Sequence, residues 1–158
     1  MSVEAGDQAP EFHLPADGNR RLGLSDFGGR YLVLYFYPKD NTPGCTNEAQ
    51  AFRDLYDSFT ARGAEIAGVS RDGVKSHDNF KAKHGIPFPL LSDADATAVQ
   101  AYGVGKEKTS GGQTKLGITR STFLIDPDGT IIQVWRQVKV PGHAEKVLEA
   151  LKAAQTGG

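Results

Sequence analysis

The sequence holds one cysteine, at a position where a thiol can become a nucleophile. Cys45 follows the run Thr42-Pro43-Gly44, which comes shortly after a hydrophobic stretch that ends at Pro38. A threonine followed by a proline is typical of the start of a helix. The first N–H groups of a helix lack intrahelical partners, and the aligned peptide dipoles place partial positive charge there. A thiol in that position can fall below its ordinary pKa of about 8.5, and the thiolate is the reactive form.

Such a thiolate could attack the oxygen–oxygen bond of a peroxide if its pocket supplied further groups. The reaction needs donors aimed at the peroxide oxygens and a cation for the charge on the leaving oxygen. Thr42 offers a hydroxyl, and the backbone N–H of Cys45 offers a second donor. Pro38 lacks an N–H and would close the pocket against water. Gly44 leaves room for a small substrate beside the sulfur.

The cation has to come from elsewhere in the chain, and Arg120 is the best candidate. It directly precedes the apolar run Ser121–Ile125, so it lies immediately before the start of a predicted strand. A guanidinium is always ionised, so it would favour the thiolate and polarise the peroxide. The sequence alone does not place Arg120 near Cys45.

Composition restricts the class of protein. The chain has 158 residues and a formal net charge of −1, which suits a single domain over residues 1–158 without nucleic acid as a partner. No apolar run approaches the roughly 20 residues that span a bilayer, and the N-terminus does not resemble a signal peptide. One cysteine cannot form an internal disulfide, so we expect a cytoplasmic protein. No metal is expected, because the histidines lack ligand spacing: His13, His77, His84 and His143.

Strand patterns and helix patterns alternate along the chain. The continuously apolar run Tyr31–Tyr37 is typical of a strand buried on both faces. A helical pattern follows from Pro43 toward Gly63. The later predicted elements are a strand at Glu65–Ser70, helices around Lys75–His84 and Asp95–Tyr102 with an extended piece at Leu90-Leu91 between them, strands at Ser121–Ile125 and Thr130–Val138, and a helix from His143 through Lys152.

Turn sequences complete the predicted topology. Asp126-Pro127-Asp128-Gly129 joins two strands as an antiparallel hairpin, so the sheet is mixed. Glu11–Leu14 and Arg21–Leu24 predict a small hairpin ahead of the core, and Thr109-Ser110-Gly111-Gly112 is interpreted as a loop. The order predicts a thioredoxin-like α/β fold: a central mixed β-sheet flanked by helices, with an N-terminal β-hairpin extension.

The segment around the cysteine resembles the active-site segment of peroxiredoxins. The matching run extends from Tyr35 to Ala49, and the pattern P-x-x-x-T-x-x-C formed by Pro38, Thr42 and Cys45 is highly specific. Further matches at residues 6–10, 90–93 and 117–126 extend the resemblance over nearly the whole chain. More narrowly, the sequence is similar to the bacterioferritin-comigratory-protein, or peroxiredoxin Q, branch.

The resemblance implies a thiol peroxidase that reduces hydrogen peroxide and organic hydroperoxides without a bound cofactor. Cys45 would be the peroxidatic cysteine. Pro38, Thr42 and Arg120 would complete its pocket. Glu48 matches an acidic position of the branch and would hold Arg120 through an ion pair. A monomer is the implied state.

The chain departs from the branch at one position. Many members carry a resolving cysteine five residues after the peroxidatic one, where this chain has Gln50, and the sequence has no other cysteine. It therefore resembles a one-cysteine peroxiredoxin. The sulfenic acid formed on Cys45 would be reduced by an external thiol: thioredoxin, glutaredoxin or a low-molecular-weight thiol.

Each residue also has a simpler interpretation. A free cysteine is often a small buried hydrophobe, and Thr42 fits a plain N-cap. Arg120 fits a surface charge, and Glu48 fits an acidic residue favoured near a helix N-terminus. For the whole chain, the alternatives are a thiol-disulfide oxidoreductase, disfavoured because Cys45 has no C-x-x-C partner, and a non-catalytic thioredoxin-like redox sensor or holdase.

Overall fold

The computed structural model describes residues 3–156, which form a seven-stranded sheet, a separate hairpin and four α-helices. The elements in chain order are β1 (His13–Ala16), β2 (Arg20–Gly23), β3 (Tyr31–Phe36), α1 (Pro43–Thr60), β4 (Ala64–Ser70), α2 (Val74–His84), β5 (Leu90–Ser92), α3 (Thr97–Ala101), β6 (Gly105–Ser110), β7 (Gln113–Ile118), β8 (Ser121–Ile125), β9 (Ile131–Arg136) and α4 (His143–Thr156).

The main sheet is mixed, as the sequence predicts. Its strand order is β2-β1-β5-β4-β3-β8-β9. The three central strands β3, β4 and β5 are parallel, and the outer pairs are antiparallel. The first two strands form the expected N-terminal hairpin, shifted by up to two residues from the predicted positions. None of the helices within residues 3–156 is long and apolar enough to cross a bilayer.

Strand β3 lies at the centre of the core because both of its faces are covered. Successive side chains of a strand point to opposite sides of the sheet. Leu34 and Phe36 join a cluster with α3 and the N-terminal segment. Val33 and Tyr35 join a second cluster on the opposite side with α1, α2 and α4. The unbroken apolar run in the sequence therefore corresponds to a strand buried on both faces.

The turn from β3 into α1 brings the chain back over the sheet. Asn41 adopts a left-handed conformation with φ of 65°, which asparagine tolerates better than most residues. Thr42 is the N-cap and Pro43 the first helical residue, as the sequence predicts. The buried stripe of the helix includes Phe52 and Phe59, and it packs on the same face of the sheet as Tyr35.

A second hairpin, β6–β7, was not predicted. Interpreting residues 109–112 as a loop is wrong for the first two, which end β6; only Gly111 and Gly112 form the turn. Both glycines have positive φ, 59° and 81°, as a two-residue hairpin turn requires. The hairpin stands outside the main sheet. Its strands are largely polar, and apolar alternation is confined to Leu116 and Ile118 at the end of β7, which pack against the core; that is too short to mark a strand. The Gly111-Gly112 pair, which is typical of a two-residue hairpin turn, was the sequence signal that could have indicated this hairpin.

Candidate active site

The start of α1 presents Cys45 to the site. The first helical hydrogen bond runs from the Thr46 N–H to the Thr42 carbonyl oxygen at 2.9 Å. The N–H groups of Gly44 and Cys45 precede that bond, so helix geometry gives them no intrahelical acceptor. Cys45 is a free thiol with 1% of its surface exposed.

Strand pairing brings Arg120 to the cysteine. Strand β8 runs antiparallel to β3, with Ser121 opposite Phe36. Arg120 therefore lies just beyond the end of β3, where the chain turns toward α1. Its Nη2 donates to Cys45 Sγ at 3.2 Å. The sulfur is buried against a guanidinium and is not enclosed by aliphatic groups alone.

Glu48 holds the other side of the same guanidinium. Arg120 Nη1 donates to Glu48 Oε1 at 2.7 Å, and the two side chains are 16% and 2% exposed. Residues three apart on a helix share a face, so Cys45 and Glu48 both point toward Arg120. One cation thus bridges the sulfur and the carboxylate.

Burial and mutual contact shift the pKa values of Glu48 and Arg120. Burial raises the pKa of the Glu48 carboxyl to about 7, although the charge and hydrogen bond of Arg120 act against that rise. The second carboxyl oxygen, Oε2, is buried and accepts no hydrogen bond from the described side chains. Burial by itself would lower the pKa of Arg120, but Glu48 and Cys45 outweigh it and raise that pKa. Arg120 is therefore a permanent cation beside the sulfur.

The hydroxyl of Thr42 is oriented by the loop before the helix. It donates to the Lys39 carbonyl oxygen at 2.9 Å, and the side chain makes no capping bond to the helix. With its proton engaged at Lys39, the hydroxyl oxygen is set to accept a hydrogen bond from a peroxide O–H. In the structure the hydroxyl donates to Lys39, whereas the sequence had suggested donation to the thiolate or to a bound peroxide oxygen.

Gly44 borders the site, whereas Pro38 lies in the loop that leads to it. Pro38 is exposed and stands two residues after the end of β3. At Gly44, an added Cβ would lie 3.2 Å from Arg120 Nη2, tighter than an ordinary contact. The glycine therefore leaves the space that the guanidinium needs to reach the sulfur.

Comparisons with known proteins identify the family of this chain. A family model described as the AhpC/TSA family matches residues 5–134. The chain belongs to this family. Peroxiredoxin Bcp of Xanthomonas campestris is 54% identical over 147 residues, 92% of this chain and 92% of that protein. The expected peroxiredoxin family and its Bcp branch are therefore confirmed.

Solved structures of peroxiredoxins share the fold. PrxQ from Xylella fastidiosa matches with a TM-score of 0.91 and 49% identity, covering 98% of this chain and 99% of its own. A Xanthomonas campestris bacterioferritin comigratory protein, described in terms of its alkyl peroxide reduction activity, matches with a TM-score of 0.86 and 52% identity, covering 90% of this chain and 91% of its own. The predicted thioredoxin-like fold is confirmed.

This peroxiredoxin has Gln50 at the position where many branch members carry a resolving cysteine. Gln50 lies on α1, and its Nε2 is 3.3 Å from His84 Nδ1 at the end of α2. The sequence contains no second cysteine. An intramolecular disulfide is therefore impossible.

A buried polar network near the site was not predicted from the sequence. Asp40 lies between β3 and α1, and its carboxylate contacts Tyr37, Ser76 and His77. The histidine is 37 positions away along the chain. No local spacing connects the two residues, so only the packing of α2 against the β3–α1 loop reveals the contact.

Proposed function

We propose that this peroxiredoxin, a thiol-dependent peroxidase, reduces hydrogen peroxide and organic hydroperoxides at Cys45 and is regenerated by an external thiol. The observation that carries this proposal is the 3.2 Å contact between Arg120 Nη2 and Cys45 Sγ. A permanent cation beside the sulfur favours the thiolate, which is the nucleophilic form.

In the first half-reaction, the Cys45 thiolate attacks one peroxide oxygen and the oxygen–oxygen bond breaks. The leaving oxygen takes up a proton and departs as water or an alcohol, and Cys45 becomes a sulfenic acid. Arg120 stabilises the charge that develops on the leaving oxygen. Thr42 accepts a hydrogen bond from the peroxide, and the N–H groups at the start of α1 donate to it.

In the second half-reaction, an external thiol restores Cys45. Its sulfur attacks the sulfenic acid, water leaves, and a mixed disulfide forms; a second thiol then releases the Cys45 thiolate by exchange. Thioredoxin, glutaredoxin and low-molecular-weight thiols all supply this chemistry. We infer a monomer in the cytoplasm, where a reducing environment keeps a lone cysteine as the thiol.

A peroxide assay with several thiol donors tests the proposal. Wild type should consume hydrogen peroxide and an alkyl hydroperoxide over many turnovers with at least one donor, and Cys45→Ser should not. Equal consumption by the two proteins would overturn the role of Cys45. Insulin reduction by wild type would favour a disulfide oxidoreductase, and client binding that persists in Cys45→Ser would favour a holdase.

Excess peroxide provides a second measurement. Because the sulfenic acid has no internal thiol to trap it, a second peroxide can oxidise Cys45 to the sulfinic acid. Mass spectrometry should then show the sulfinic form. Its absence at high peroxide would show that another group protects the intermediate.

A further inference from the structure

A buried hydrogen-bond network fastens the loop in front of the peroxidatic cysteine. Among residues 38–42, all of which the structure describes, only Asp40 is buried, with 4% of its surface exposed. Its Oδ1 accepts from the Tyr37 hydroxyl at 2.6 Å. Its Oδ2 accepts from the Ser76 hydroxyl at 2.8 Å and lies 2.8 Å from His77 Nδ1. Residues 38–42 are called the active-site loop here. The hydrogen bonds of Asp40 to Ser76 and His77 attach this loop to α2.

The ring of His77 makes a hydrogen bond at each nitrogen. Its side chain is fully buried. Nε2 lies 2.9 Å from the Leu91 carbonyl oxygen, which can only accept, so Nε2 carries a proton. Nδ1 faces Asp40 Oδ2, and an ionised carboxylate can also only accept. Protons on both ring nitrogens, opposite an ionised Asp40, correspond to an imidazolium.

Asp40 has the surroundings of an ionised carboxylate. Burial acts to raise its pKa, but the hydrogen bond and charge of His77, together with the Tyr37 and Ser76 hydroxyls, lower that pKa below its ordinary value. Further ionisable groups at this network are Tyr37, Tyr35 and Asp72, which precedes α2 and whose Oδ2 accepts from the Asp40 N–H at 2.8 Å. The Tyr37 hydroxyl also lies 3.4 Å from His77 Nδ1, but it donates to Asp40 Oδ1 at 2.6 Å. A His77 ring unprotonated at Nδ1 would therefore turn a lone pair toward the carboxylate oxygen 2.8 Å away.

The active-site loop connects Asp40 to the residues that lie next to the sulfur. Lys39, next to Asp40, supplies the carbonyl oxygen that orients the Thr42 hydroxyl at 2.9 Å. Thr42 is in turn the N-cap of the helix that begins with Pro43 and carries Cys45. A displacement of Asp40 therefore moves the acceptor that orients Thr42.

We propose that Asp40 and His77 form a buried carboxylate–imidazolium anchor that positions the active-site loop for peroxide attack. The inference rests on the proposed function and names two positioning residues for that reaction. Neither side chain touches the sulfur; both act through Thr42.

Two substitutions of His77 distinguish the loss of its contact with Asp40 from a general loss of packing. His77→Asn places an amide nitrogen near the position of Nδ1, so it retains a donor to Asp40. His77→Gln places its amide near Nε2, so it retains the donor to Leu91 and loses the one to Asp40. Each variant loses one buried hydrogen bond, and thermal unfolding should show similar losses of stability.

The rates of peroxide attack should differ between the two variants. We expect His77→Gln to react with hydrogen peroxide about tenfold more slowly than wild type, and His77→Asn to stay within about threefold, since small displacements of a positioning group lower rates steeply. Alkylation of Cys45 by iodoacetamide, which does not need Thr42, should change little in either. Equal peroxide rates in the two variants, or parallel losses of peroxide and alkylation rates, would overturn the anchor.

The protonation state has a test that does not depend on activity. Nitrogen-15 NMR of the wild-type protein at pH 7 should show protons on both ring nitrogens of His77. A ring with one unprotonated nitrogen would overturn the charged pair. A failure of the proposed function is distinguishable, because the NMR result and the peroxidase turnover are measured separately.

Discussion

The guanidinium of Arg120 donates to the sulfur of Cys45 across 3.2 Å, although 75 positions separate the two residues. A thiolate at the start of a helix already has the positive end of the helix dipole beside it. The guanidinium adds a full charge and a directed donor.

Loss of the Arg120 guanidinium should slow peroxide attack. We expect Arg120→Met to reduce the second-order rate constant about a hundredfold, the effect of removing one preorganised donor from a developing anion. Arg120→Lys keeps the charge but cannot contact Cys45 and Glu48 in the same fork geometry, so its rate should fall in between. Stopped-flow single-turnover measurements test this order. Ultraviolet thiolate absorbance against pH should also change in the methionine variant, and unchanged absorbance would show that Arg120 does not activate the sulfur.

The Thr42 hydroxyl should contribute one hydrogen bond to the reaction. Thr42→Val keeps the shape but removes the hydroxyl that the Lys39 carbonyl orients. We expect peroxide attack to be about tenfold slower, which corresponds to one hydrogen bond of about 1.4 kcal/mol. Thr42→Ser keeps the hydroxyl and should retain most of the rate. A slow serine variant with a fast valine variant would exclude this role.

The space at Gly44 should be needed by Arg120. In Gly44→Ala, the new Cβ would lie 3.2 Å from Nη2, so the guanidinium has to move away from the sulfur. We expect peroxide attack to slow several-fold with little change in stability, since alanine suits a helix. Gly117→Ala is the control, because the nearest described atom to its Cβ would be the Lys106 carbonyl oxygen, at the ordinary contact distance of 3.5 Å. Similar rates for both variants and wild type would contradict the prediction.

The buried carboxyl of Glu48 should make stability fall as pH rises toward neutrality. Its pKa is raised from 4.5 to about 7, mainly by burial. Between these values the native state binds more protons than the unfolded state, so the free energy of unfolding decreases with rising pH. Glu48→Gln lacks this titration. Urea unfolding from pH 4.5 to 8 should therefore show the stability of the variant, relative to wild type, increasing up to about pH 7 and then levelling off. If stability depended on pH in the same way in wild type and in Glu48→Gln, the raised pKa of Glu48 would be contradicted.

His143 should have the opposite effect. Burial, with smaller contributions from Lys146 and Arg120, lowers its pKa from 6.5 to about 4, and its Nε2 lies 2.8 Å from the Thr122 hydroxyl. The unfolded state binds more protons in this range, so stability decreases as pH falls from 6.5 toward 4. His143→Gln keeps a polar group near the position of Nε2 and removes the titration. Its unfolding curve should be flatter in acid than that of wild type; equal slopes would contradict the assignment.

Most of the fold could be predicted from the sequence because its signals are local. The apolar run of β3, the Thr42-Pro43 helix start and the Asp126–Gly129 turn each depend on a few adjacent residues, and all are present. The β6–β7 hairpin escaped prediction because it packs outside the main sheet. Apart from Leu116 and Ile118, which pack against the core at the end of β7, its strands are polar, so the pattern that marks other strands is weak there.

The active site also combines features that the sequence predicts with features that only the folded structure shows. The sequence by itself determined that Cys45 stands at a helix start between a buried strand and an apolar stripe, because turn residues and side-chain periodicity act over short distances. Only the tertiary structure decided that Arg120 reaches the sulfur, that the Thr42 hydroxyl donates to the Lys39 carbonyl oxygen, and that His77 pairs with Asp40. Those contacts depend on strand pairing and helix packing between distant segments, and no short stretch of sequence encodes such a distance.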